Sequence, residues 1–134
     1  MKLWWKDLCM MIRLNNKGQS LVMFICLLPI LLLIVLAIVD VSRMVIEKNK
    51  LNNINNIAIW YYSNHKEDDD VTERIISLVK RNDENIINVR INKDKNTIYL
   101  DKKIDSTMGK IIGISEYEIV SEYSFADDGI KRVK

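Results

Sequence analysis

The residues equipped for chemistry are few in this sequence, and their spacing suits none of the usual reactions. His65 is the only histidine in 134 residues. A zinc ligand or a catalytic base needs partners, and neither a second histidine nor a nearby cysteine is present. Glu67-Asp68-Asp69-Asp70 gathers four carboxylates but lacks the alternating ligands and central glycine of a calcium loop, and it reads as a solvated turn. Serines and other carboxylates occur without nucleophile–base spacing or a phosphate-cradling glycine loop. Cys9 and Cys26 could meet only if the chain folded back on itself, and neither lies in the polar C-terminal part, so no disulfide framework holds that part together. We expect no catalytic residue, no metal site and no cofactor, and read the chain as a non-enzyme.

What organises the chain is the run Leu21 to Val39, LVMFICLLPILLLIVLAIV, which is uncharged and carries one proline. At about 1.5 Å per residue it is long enough to cross a hydrocarbon core of about 30 Å. The alternative, a buried helix of a soluble protein, fails because the rest of the chain is too small to cover such a helix on every side. A secretory signal is excluded by the length of the run and the lack of a small-x-small site after it; Met23-Phe24-Ile25 before Cys26 is too bulky for a lipoprotein site. Residues 1–18 form a basic leader in which Lys2, Lys6, Arg13 and Lys17 face one acid, Asp7, whereas Asp40, Arg43, Glu47, Lys48 and Lys50 beyond the run nearly balance. This bias places the N-terminus in the cytoplasm and the C-terminal domain outside a cell membrane crossed once. Trp4, Trp5, Leu8, Met11 and Ile12 recur at helical spacing, which suits a leader lying along the interface as well as a basic tail with stray apolar residues.

The expected fold class is α+β. A transmembrane helix extends into an amphipathic one over 19–62, with Pro29 as a kink and Asp40 and Arg43 pairing at the membrane boundary. Val41, Met44, Val45, Leu51, Ile54, Ile57, Ala58 and Tyr61 make the apolar stripe, and Glu47, Lys48, Asn49, Asn52, Asn53 and Asn56 the polar face. A linker at 63–70 leads to a small domain at 71–126. It opens with a capping box, Asp70 to Glu73, and a short helix whose Val71, Ile75, Leu78 and Val79 face one way. Period-two alternation then predicts an antiparallel sheet of about three strands through Ile87, Val89 and Ile91, through Ile98 and Leu100, and from Tyr117 to Phe125. Residues 127–134 read as a loose tail. From Glu67 onward 15 acidic side chains meet 12 basic ones, a balance that argues against nucleic-acid binding.

The front of the chain resembles a known family. Lys17-Gly18-Gln19-Ser20-Leu21-Val22-Met23-Phe24, then Leu27-Leu28-Pro29, a leucine-rich core and Asp40-Val41-Ser42-Arg43 look like the TadE/TadG-like proteins of Flp-type (tight adherence) pilus assembly. The resemblance covers mainly residues 13 to 60. It implies a pseudopilin-like membrane component of a pilus or secretion apparatus, with a prepilin peptidase cutting between Gly18 and Gln19. It also implies partners among other assembly membrane proteins, with Met23, Phe24 and Pro29 on the packing helix. Met23 departs from the family, which usually has a glutamate there; the departure favours a minor assembly component over an abundant fibre subunit. The alternative is an anchored extracytoplasmic module for adhesion, sensing or partner binding, neither cut nor assembled.

Overall fold

The computed structural model of the protein describes Lys6 and residues 18–134. The leader charges Lys2, Arg13 and Lys17, the proposed interfacial residues from Trp4 to Ile12, and Cys9 lie outside the described residues; Lys6 is exposed. The chain divides into two units, residues 1–39 and 40–134, and helix α1, Gln19–Asn64, contributes to both.

In the first unit the apolar run is helical throughout, and none of its side chains is buried. Its many β-branched residues are mediocre helix formers in water. In lipid every backbone polar group needs an internal partner, and a helix is the one way for a single segment to supply them. The helix continues through Pro29, whose missing N–H leaves the Ile25 carbonyl without its usual partner.

The second unit is an antiparallel sheet in the order β1-β2-β3-β4, with β1 at Ile86–Asn92, β2 at Thr97–Asp105, β3 at Glu116–Ala126 and β4 at Gly129–Arg132. Helix α2, Val71–Asn82, precedes it, and a one-turn helix α3, Gly109–Ile112, interrupts the β2–β3 connection. The core joins Leu51, Ile54, Ala58, Ile59 and Tyr62 of α1 to Val71, Ile75 and Val79 of α2 and to Ile86, Ile98, Leu100 and Ile119 of the sheet. A three-strand expectation is thus close, and the fourth strand comes from the expected tail: Tyr123 to Ala126 pairs with Gly129 to Arg132.

Four local expectations are corrected. On α1, Val41, Val45 and Ile57 are exposed, while Ile59, Tyr62 and Asn52 are buried. Leu51, Ile54 and Ala58 of the expected stripe are buried, but the inward line Asp40, Met44, Glu47, Leu51, Asn55, Ala58 and Tyr62, at helical steps of three and four, also takes in two carboxylates and an asparagine. Asp70 makes no side-chain cap; its carboxylate pairs with Arg74 Nε at 2.8 Å, so the capping box does not form. In β1 a bulge between Ile86 and Asn88 shifts the phase, so that Ile86 rather than Ile87 enters the core with Val89 and Ile91 behind it. The β1–β2 hairpin is held by Asn92 Oδ1, which accepts from the amides of Asp94 and Lys95, and by Asn96 at φ +50°. Asp40 and Arg43, expected to pair, bond separately to the β2–β3 connection.

The bulge makes a direct test. Ile86→Ala is expected to cost about 2–5 kcal/mol in chemical denaturation of the detergent-solubilised protein. Ile87→Ala, at the half-exposed neighbour, should stay within about 0.5 kcal/mol.

Candidate functional site

Helix α1 grips the sheet through polar side chains, and the outermost is Asp40. Its carboxylate accepts hydrogen bonds from Ser106 Oγ at 2.7 Å, the Thr107 amide at 3.0 Å and the Met108 amide at 2.7 Å. Ser106 Oγ in turn accepts the Gly109 amide at 2.6 Å, and Arg43 Nη1 donates to Thr107 Oγ1 at 3.4 Å. The Ser106 hydroxyl does most to hold the Asp40 carboxyl down; burial opposes it, and the amides of Met108, Thr107 and Gly109 add to a lowering from 3.8 to about 2.

Two turns along α1, Glu47 joins a buried ion cluster. Lys102 Nζ lies 2.5 Å from Glu47 and 2.6 Å from Asp83, and Lys50 approaches Asp83 at 3.7 Å. Burial alone would suppress the Lys102 charge, but the hydrogen bonds and charges of Asp83 and Glu47 outweigh it and raise the ammonium. Burial likewise opposes ionisation of Asp83, yet Lys102, the Asn85 amide and Lys50 keep its carboxyl below the ordinary range. Two turns further, the wholly buried Asn55 donates to the carbonyls of Ile98 and Ser121, both at 3.0 Å, and to Ser121 Oγ at 3.2 Å. That contact joins the helix to both central strands.

A cleft of about 580 Å³ beside Arg43, Glu47, Lys102 and Asp105 has charges of both signs and no nucleophile–base pair. Among the described residues no group of three or more His, Cys, Asp or Glu side chains is placed to hold a metal. His65 sets its Nδ1 3.0 Å from the Tyr61 carbonyl and stacks on the Tyr61 ring, a helix-end contact.

The expected processing residues flank the start of α1. Gln19 is its first residue and is exposed, and Gly18 accepts the Val22 amide at 3.0 Å. No described atom lies within 4 Å of where a Gly18 Cβ would sit, so packing does not call for glycine there. Met23, Phe24 and Pro29 are all exposed on α1 in the first unit. Asp40 and Arg43, in the second, converge on Thr107. Sequence reasoning missed Asn55, Asp83, Lys102 and Ser106. The signal for Lys102 was available, since the alternation Ile98, Leu100, Lys102, Ile104 puts it on the core face of β2.

One helix among the described residues is long and apolar enough to cross a membrane, the form of a single-pass membrane protein. Residues 18–54 match the family model described as TadE-like protein. No curated protein and no solved structure matches the chain.

Two measurements probe the polar contacts. A carboxyl lowered by folding stabilises above its unfolded pKa and ceases to do so as pH falls through its folded one, so Asp40 supports the second unit above pH 3.8 and its support fades toward about 2. Asp40→Asn should lower stability at neutral pH and flatten the loss between pH 4 and 2 followed by circular dichroism, both limits being that same pair of values in round numbers. Lys102→Met should cost about 3–5 kcal/mol in denaturant by taking from the buried Asp83 its close ammonium and leaving only Lys50 at 3.7 Å, and adding Asp83→Asn should recover part of it.

Proposed function

Because the chain is TadE-like over residues 18–54, we propose that it is a pseudopilin-like component of a Flp/Tad-type pilus or related secretion apparatus, acting by helix–helix association and not by catalysis. The observation that carries this reading is the uncharged run Leu21–Val39 inside the matched segment, none of whose side chains is buried. In lipid such a surface associates through van der Waals packing plus polar contacts worth about 1 kcal/mol each. The Ile25 carbonyl freed by Pro29 is one such contact waiting for a donor. The charge bias of the leader keeps it in the cytoplasm and the second unit outside.

A prepilin peptidase cutting between Gly18 and Gln19 would remove the basic leader and leave α1 whole, since α1 begins at Gln19. Among the described residues nothing packs where a Gly18 side chain would lie, which fits a role for that glycine in processing. Met23, where the family usually has glutamate, gives packing without a carboxylate to offset a neighbour's new amino terminus, which favours a minor assembly component.

In cells with an active prepilin peptidase, N-terminal sequencing of the membrane-extracted protein should begin at Gln19, and Gly18→Leu should retain the leader. Persistence of the uncut form would sink the processing step and favour an anchored adhesion, sensing or binding module instead.

A further inference from the structure

The β2–β3 connection, Ser106–Ser115, carries an apolar group that the core does not use. Ile111 is 62% exposed, Ile112 66% and Ile114 46%, three β-branched apolar side chains on a short polar-flanked turn. The turn that presents them is built tightly. The Ser106 amide donates to the Ser115 carbonyl at 3.0 Å, closing the base, and the Ile114 amide donates to the Gly109 carbonyl at 2.7 Å. A Cβ at Gly109 would lie 2.3 Å from the Ile114 carbonyl oxygen and 2.5 Å from Ser106 Oγ, so the turn closes only around glycine. Its other tie is Asp40.

Asp40 is also the first residue after the uncharged run Leu21–Val39. Whichever side of the membrane the second unit occupies, the carboxylate of Asp40 sits where the chain leaves hydrocarbon. Its three hydrogen bonds hold Ser106, Thr107 and Met108 at that level, and Ile111 and Ile112 follow within one helical turn, about 5 Å. The headgroup layer on each face is roughly 5–8 Å deep, so these side chains are within its reach. The opposite end of the sheet, at Lys93–Asn96 and Asp127–Asp128, carries polar turns and no such group.

We propose that the turn Met108–Ile114 dips into the lipid interface, with Ile111, Ile112 and Ile114 as a second membrane contact tied to Asp40. The bilayer is the occupant because the turn is tied to the residue that borders the span. Exposed apolar side chains of this kind gain by entering an interface, and Lys110 among them suits phosphate headgroups. This contact rests on Leu21–Val39 being the span, and not on assembly into a pilus.

The test uses full-length protein carrying Cys9→Ala and Cys26→Ala, in vesicles of zwitterionic and anionic phospholipid. An environment-sensitive dye is attached at Ile112→Cys, Asp94→Cys or Ile34→Cys. The dye at 112 should be blue-shifted and quenched by headgroup-level spin-labelled lipid about twofold or more beyond the dye at 94. A lipid-shielded dye at 34 with a water-exposed dye at 112 would overturn the inference and leave the span reading intact. Shielding at 112 in native membranes but not in vesicles would overturn it in favour of a protein partner. A water-exposed dye at 34 would remove the span itself and the inference with it.

Discussion

A helix that leaves hydrocarbon and at once becomes the core of a small domain must change partners within one residue. In this protein the change falls at Asp40. An ionised carboxylate at the edge of an apolar run is unfavourable unless hydrogen bonds replace the water it gives up. Ser106, Thr107 and Met108 supply them, and the lowered pKa records how well they do so. The domain therefore solvates the carboxylate with its own β2–β3 connection, and the rest of the helix-to-sheet packing follows from that starting point.

From Asp40 the polar contacts run along the helix as β2 runs the other way. Asp40 meets Ser106, Glu47 meets Lys102, and Asn55 meets Ile98. From residue 40 to 55 a helix rises about 22 Å, and from 98 to 106 a strand covers about 26 Å, so the two ladders stay nearly in step. Sliding α1 by one turn would set Asp40, Glu47 and Asn55 against the wrong partners together. Buried ion pairs add little net stability over well-packed apolar residues. Their use here is register: apolar packing alone would tolerate a slipped helix better than these three contacts do.

Much of the fold was legible because its apolar periodicities are plain. Val71, Ile75 and Val79 on α2, and Ile98 and Leu100 on β2, lie inside as their spacing predicts. The errors on α1 share one cause. Counting apolar residues on α1 favoured Val41 and Val45, whereas the inward line there is Asp40, Met44 and Glu47, and only tertiary partners make such a line burial-competent. Asn55 was invisible for the same reason, since four neighbouring asparagines look like a weak, solvated stretch of helix. Ile87 was misplaced because a bulge leaves no mark in a run of two adjacent isoleucines. Residues 127–134 looked loose because a short edge strand is polar and exposed on both faces.

The TadE-like match bears on this directly. It covers residues 18–54 and so includes Asp40, Arg43, Glu47, Leu51 and Ile54, part of the α1 side of the contacts with the domain, while Asn55, Ala58, Ile59 and Tyr62 lie just beyond it. Ser106, Lys102, Asp83 and Ser121, on the other side of those contacts, all lie beyond it. The matched segment is thus no detachable anchor, because its last turns are core residues of the unit that follows. The same helix carries a stretch with no buried side chain, Leu21–Val39, and continues into one whose Leu51, Ile54, Ala58, Ile59 and Tyr62 lie in the core.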